Sequence, residues 1–113
     1  MVDVRQVRAV ALELVRTQEH LIRDRIKFRV GRIVYVAISA DGTTMGFAFP
    51  REERDGLIAS APGTFFLPIP SELRFHWVES YLSELEPDEM TELVVEAWRM
   101  VVPRRVAREH LGE

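Results

Sequence analysis

Cysteine is absent from the sequence. Its absence excludes structural disulfides, metal sites built from thiolates and a cysteine nucleophile. Long apolar runs are also missing, since none approaches the roughly 20 residues that a membrane-spanning helix requires. The first residues follow an amphipathic helical pattern, not the basic and then apolar order of a signal peptide. We therefore expect a cytoplasmic protein with no membrane role.

Residues arranged for catalysis or cofactor binding are equally scarce. The six glycines are dispersed, and neither a dinucleotide-binding GxGxxG nor a phosphate-binding P-loop occurs. His20, His76 and His110 are far apart, and none has a partner at metal-ligand spacing. The carboxylate pairs Glu52/Glu53 and Asp88/Glu89 stand at predicted helix starts, where the helix dipole favours anions. We expect no metal, no cofactor and no enzymatic activity.

The net charge of −3 is unevenly distributed along the 113 residues. Residues 1–32 hold eight Lys/Arg and four Asp/Glu, whereas residues 33–100 hold four and twelve. The last 13 residues hold three and two. A nucleic-acid binder usually carries a basic surface over much of its domain. Here only the two ends could form one, so any nucleic-acid binding should be weak.

The N-terminal part predicts one helix followed by strands. Asp3 and Gln6 have the spacing of a capping box, and the helix is expected over residues 4–19. Its apolar stripe, expected to pack on the sheet, comprises Val4, Val7, Ala11, Leu14 and Val15.

From Arg25 the apolar period changes to two, which predicts a strand with a basic outer face. A turn at Gly31, a buried strand over 32–39, a type I′ turn at Asp41-Gly42 and a strand over 43–49 complete a three-stranded meander. Met45, Phe47 and Phe49 should share its inner face.

The C-terminal half predicts a helix over 51–60, a short strand over 64–67 and a last strand over 73–81. Trp77 is expected in the core. Pro87 begins the last long helix, in which Trp98 lies on an apolar stripe and should be buried. A short basic segment follows Pro103. The order α-β-β-β-α-β-β-α predicts a single α+β domain over residues 1–113.

The segment from Trp77 to Arg105 carries the strongest resemblance to a known family. Its order of parts is Trp-Val, Leu-x-Glu-Leu-x-Pro-Asp-Glu, Glu-Ala-Trp-Arg and Pro-Arg-Arg. Together with the hairpin at 26–36, the Pro-x-Glu-Glu-Arg segment and the Phe-Phe pair at 65–66, it resembles the MmcQ/YjbR-like family. The likeness fails over residues 68–76, where many members have a Gly/His-rich stretch.

The resemblance implies a two-layer fold with helices on one side of an antiparallel sheet, as in type III secretion chaperones. It also implies DNA binding through a "double-wing" motif. In this sequence the candidate phosphate contacts are the basic residues of the hairpin and of the C-terminal segment, namely Arg25, Lys27, Arg29, Arg32, Arg104, Arg105 and Arg108.

Two other functions remain open. A protein-interaction module would show an exposed apolar patch or sheet edge. An enzyme or small-ligand binder would show a deep pocket with titratable groups near His76. The sequence leaves open whether the chain is a monomer or a homodimer.

Overall fold

The N-terminal helix is shorter than its apolar pattern predicts. In the computed structural model, which describes all residues 1–113, α1 covers only Val4–Glu13. The predicted capping box of Asp3 and Gln6 is present. Leu14 has an extended backbone and Arg16 a positive φ of 68°, so the chain turns away from the helix axis. Val15 is exposed, and its expected place on the inner face was wrong.

A strand that the apolar pattern does not predict follows this turn. β1 (Thr17–Ile22) pairs antiparallel with β2 (Arg25–Val30) along its whole length. The two strands are joined by Arg23 and Asp24, which both have positive φ. Two-residue turns of this kind usually carry Asn or Gly, so the sequence gives no turn signal here.

The predicted meander over residues 26–49 is confirmed. β2 is followed by β3 (Ile33–Ile38) and β4 (Thr44–Ala48), each pairing antiparallel with the one before. The turn at Gly31 has a φ of 60°. At the next turn only Gly42 has positive φ, so it is not of type I′. Instead, Asp41 accepts hydrogen bonds from Ser39 and Thr43, which close the loop.

The second half of the chain completes the sheet and the helical layer. A 3₁₀ turn (Arg51–Glu53) leads into α2 (Arg54–Ser60) and then β5 (Phe65–Phe66). The last strand, β6 (Trp77–Tyr81), is shorter than predicted, because Pro68 and Pro70 direct residues 68–76 into a loop with a 3₁₀ turn. α3 (Pro87–Arg99) and an additional helix, α4 (Arg104–Leu111), end the chain.

The protein is an α+β domain with one six-stranded antiparallel sheet and four helices. The strand order is β1-β2-β3-β4-β6-β5. α3 packs on β3 and β4, and α1 packs on α3. The core lies between these helices and the sheet, and its largest buried side chains include Phe28, Tyr35, Phe47, Phe65 and Trp98. No helix is both long and apolar enough to cross a bilayer.

Candidate functional site

The open face of the sheet carries a large groove. Its cavity measures about 620 Å³, within the range of roughly 300–1,000 Å³ typical of small-molecule sites. Its lining comes from β2 to β6, from the loop at 67–76 and from Met100 and Val101 just after α3. None of the four helices contributes a residue. The groove therefore lies opposite the helical layer.

The floor of the groove is made of small residues. A row of paired positions crosses the sheet from Lys27 to Ala37, Gly46 and Glu79. Gly46 has no room for a side chain, because a Cβ there would lie 2.5 Å from both Glu79 Oε2 and Trp77 Nε1. The side chains of Trp77 and Glu79 thus lie directly over the backbone of β4.

Trp77 and Glu79 form the polar centre of this face. Val78 and Ser80 point into the core, while Trp77 and Glu79 are half-buried on the other side. Trp77 therefore does not occupy the core position expected from its apolar neighbours, because β6 buries the alternate residues. Its indole Nε1 donates a hydrogen bond of 2.7 Å to Glu79 Oε2, which fixes the orientation of the carboxylate.

Within the groove, Glu79 is the titratable group whose pKa is shifted by its surroundings. Burial raises the pKa of Glu79, and the negative charge of Glu72 adds to this, while the Trp77 hydrogen bond and the positive charge of Arg25 oppose it. A half-buried carboxylate with a raised pKa in a cleft is typical of functional sites. In the sequence, the feature that could have indicated this site is a charged residue, Glu79, within a strand that is otherwise largely apolar.

Replacing Glu79 with glutamine should make stability less dependent on pH. Because the folded pKa is raised above its ordinary value of 4.5, the folded protein binds more protons than the unfolded chain just above that pH. The free energy of unfolding therefore falls as pH rises through this window. Glu79→Gln cannot ionise, so it should be more stable than the wild type at about pH 7 and equal to it at about pH 4.

Urea unfolding at both pH values measures this effect. Glu84→Gln, at an exposed position outside the groove, serves as the matched control and should show no such difference. Equal stability of Glu79→Gln and wild type at both pH values would contradict the assigned environment of Glu79.

His76 lies at the edge of the groove in a structural role. Its Nδ1 accepts a hydrogen bond of 2.8 Å from the backbone N–H of Arg51. Glu52 Oε2 is 3.9 Å from the same nitrogen. The ring thus links the start of the 3₁₀ turn to the beginning of β6.

The other residues considered from sequence remain dispersed. No group of three or more His, Asp or Glu residues is arranged to hold a metal ion. The pair Asp88/Glu89 lies in the first turn of α3, as expected from the helix dipole. Trp98 is completely buried, and its distance of 5.3 Å to the ring of His110 is a packing contact.

Four of the seven candidate phosphate contacts line one of two cavities. Arg25 and Lys27 line the groove on its β2 side. Arg104 and Arg108 line a second, smaller cavity with Arg99, beside the side chain of Glu113. The remaining three, Arg29, Arg32 and Arg105, line neither of these cavities.

The two basic segments approach the same cavity. Ile33 and Val34, directly after Arg32, line the groove together with Met100 and Val101, which closely precede Arg104.

Comparison with known proteins places the chain in a family. The family model described as YjbR matches residues 12–100. The crystal structure of Deinococcus radiodurans protein DR2400, assigned to the domain DUF419, superposes with a TM-score of 0.80 at 20% identity. The match covers 99% of this chain and 89% of that one, and at this identity it shows a shared fold. No curated protein matches the chain. Because the family model covers most of its length, the chain belongs to the YjbR family.

Proposed function

We propose that this protein binds nucleic acid through its phosphates, using the cations of the β2–β3 hairpin and of α4, and catalyses no reaction. The observation that carries the proposal is that none of the seven candidate cations is in a salt bridge, whereas Arg5, Arg8 and Arg99 are. All seven are at least partly exposed. A cation without a carboxylate partner can contact a phosphate without first losing an ion pair.

The position of Arg104 and Arg105 supports an anionic ligand. Both lie in the first turn of α4, which has no acidic residue there. The positive end of the helix dipole disfavours cations at this position, so the two arginines do not help the helix to form. A helix N-terminus flanked by arginines does attract phosphate groups.

The open sheet face favours a single strand over a duplex. Four aromatic rings border or line it: Phe66 and Tyr81 are stacked at 4.6 Å, Phe75 is exposed and Trp77 half-buried. Proteins that bind single strands combine aromatic rings, on which bases stack, with cations along the backbone. Arg25 and Lys27 supply cations on the same face.

Binding should be weak and strongly dependent on salt. If about four of the seven cations contact phosphates of a short duplex, the logarithmic salt slope is about −3.6, and a fourfold rise in salt should lower affinity roughly 150-fold. A single strand has a shallower slope, so the same change should cost roughly 50-fold. Fluorescence anisotropy with labelled duplex and single strand at about 50 and about 200 mM salt measures both.

Replacing Arg104 and Arg105 together with alanine should flatten the slope by up to about two units. Arg5→Ala is the control, because Arg5 is exposed but lies on α1 and outside the basic segments. It should leave the slope unchanged. An unchanged slope in the double variant would remove α4 from the interface.

A protein partner is the second candidate. Five exposed apolar residues line the groove, namely Ile33, Leu67, Ile69, Phe75 and Met100. An exposed apolar patch of this kind is typical of interaction surfaces. If neither duplex nor single strand binds at the lower salt concentration, nucleic acid is excluded and the protein-interaction function becomes the better proposal.

A further inference from the structure

The groove is bipolar, with an acidic side and a basic side separated by a floor of small residues. Glu79 and Glu72 lie on one side, and Arg25 and Lys27 lie on the other. β2 and β6 are three strand spacings apart, which is about 14 Å between backbones, and the long side chains on both sides narrow this gap. Arg25 is near enough to lower the pKa of Glu79, so both charges act within one site.

The carboxylate of Glu79 on the acidic side keeps unused hydrogen-bond acceptors. Trp77 donates to Glu79 Oε2, whereas Glu79 Oε1 has no hydrogen-bond partner within the protein. An ionised carboxylate can only accept hydrogen bonds. Oε1, and the remaining lone pair of Oε2, therefore select a ligand that presents donors.

The surface beside this carboxylate is aromatic and apolar. Trp77 holds its ring over Gly46, and Phe66, Leu67, Ile69 and Phe75 line the same cavity. A flat ring can lie against these side chains, because aromatic groups bury a large area and prefer offset stacking. The site therefore fits a planar group with hydrogen-bond donors on its edge.

We propose that the groove is a nucleotide-binding site, in which a base stacks beside Trp77 and donates to Glu79 while the phosphate contacts Arg25 and Lys27. The inference rests on the proposed nucleic-acid function and specifies its base-binding position. Guanine is the best match, because its N1–H and N2–H₂ donors are adjacent and can face the two oxygens of one carboxylate. Uracil is the poorest match, because carbonyl oxygens flank its single N–H and would face the carboxylate.

Calorimetric titration with the free nucleotides GMP and UMP tests the site in the intact protein. GMP should bind roughly 5- to 150-fold more tightly than UMP, the discrimination of a good paired hydrogen bond. Glu79→Gln should remove most of this preference, because an amide presents a donor as well as an acceptor. Glu84→Gln, outside the groove, should keep it.

Gly46→Ala is a second variant, and it acts on the side chains of Trp77 and Glu79. The added Cβ would meet the carboxylate of Glu79 and the indole of Trp77, which are side-chain and not backbone atoms on the open face, so these side chains should move and the protein should still fold. We expect loss of GMP binding together with a change in tryptophan fluorescence, which Trp77→Phe would identify as arising from Trp77 and not from buried Trp98.

A second arm uses oligouridine strands with and without a single guanosine, at about 50 mM salt, where electrostatic binding is strong. Salt-dependent binding of both strands with equal affinity, unaffected by Glu79→Gln, would overturn the base site and leave the phosphate-binding function intact. GMP binding that depends on Glu79, without binding of any strand, would support the nucleotide site and overturn the nucleic-acid function. Absence of binding in both arms would overturn both.

Discussion

Replacing Trp98 with alanine is expected to lower the free energy of unfolding by about 3–5 kcal/mol. The Trp98 side chain is completely buried in the core between α3 and its neighbours. Truncation to alanine removes apolar contact area and leaves a cavity that the surrounding helices and sheet can fill only in part. Urea unfolding monitored by far-UV circular dichroism measures the change.

Trp98→Phe separates the volume of the ring from its hydrogen bond. The indole Nε1 donates to the carbonyl of Val15 at 3.0 Å, across the turn between α1 and β1. Phenylalanine keeps most of the apolar volume but leaves that carbonyl without its donor, which should cost about 1–3 kcal/mol. If Trp98→Ala changed stability by less than about 1 kcal/mol, Trp98 would not be the core residue that the structure shows.

The burial of Trp98 was predictable because α3 has a regular apolar stripe. Met90, Val94, Ala97 and Trp98 recur at helical spacing, and all four are buried. Pro87 and the acidic residues after it mark the start of this helix. The alternation of Phe28, Met45 and Phe47 specified the inner face of the meander in the same way. Where the apolar period and the signals at both ends of an element agree, as in α3, its buried face could therefore be assigned correctly from sequence.

The region between α1 and β2 could not be predicted by the same argument. Leu14 and Val15 continue the helical spacing of α1, yet the chain leaves the helix at Leu14. The turn between β1 and β2 uses Arg23 and Asp24 at positive φ, without the glycine or asparagine that normally indicates it. The pairing of β1 with β2 is a tertiary interaction, and it outweighs the local pattern.

The candidate groove was hidden from sequence for a different reason. Its central residues come from β4 and β6, which are far apart in the chain, and Gly46 matters only because Trp77 and Glu79 lie over it. In sequence, Trp77 and Val78 are equally plausible core residues. The face of β6 that is open becomes clear only from its pairing with β4, in which Ala48 is opposite Trp77 and Gly46 is opposite Glu79. The cationic candidates come from composition and strand alternation, and their role stays a prediction.

The loop at residues 67–76 borders the groove and contains the segment in which the resemblance to the family fails. Over 68–76 the chain departs from the stretch that many MmcQ/YjbR-like proteins are expected to carry, and its residues Ile69, Glu72, Phe75 and His76 line the cavity. We expect the ligand preference of the groove to depend on this loop. The position of the loop should in turn depend on one buried arginine.

Replacing that residue, Arg54, with alanine is expected to lower the free energy of unfolding by about 2–4 kcal/mol. Arg54 is only 8% exposed and ends the Pro-x-Glu-Glu-Arg segment at the start of α2. Its guanidinium donates hydrogen bonds to the carbonyls of Leu73, Phe75 and Trp77 at 3.1–3.3 Å. Loss of the side chain removes all three donors at once and leaves the loop before β6 without its anchor.

Arg51→Ala is the matched control, because Arg51 donates one exposed hydrogen bond to the carbonyl of Arg74 in the same loop. It should cost about 1 kcal/mol or less. Arg54→Lys should be intermediate, since one ammonium group cannot reproduce the planar fork of donors of a guanidinium.

Urea unfolding measures the three variants, and limited proteolysis shows where the structure loosens. In Arg54→Ala, cleavage should increase within residues 67–76 before the rest of the chain is attacked, because the hydrogen bonds to the carbonyls of Leu73 and Phe75 hold that segment against α2. Ligand binding in the groove should weaken along with it. Stability within about 1 kcal/mol of the wild type, with unchanged cleavage, would show that the loop is held by its own packing and not by Arg54.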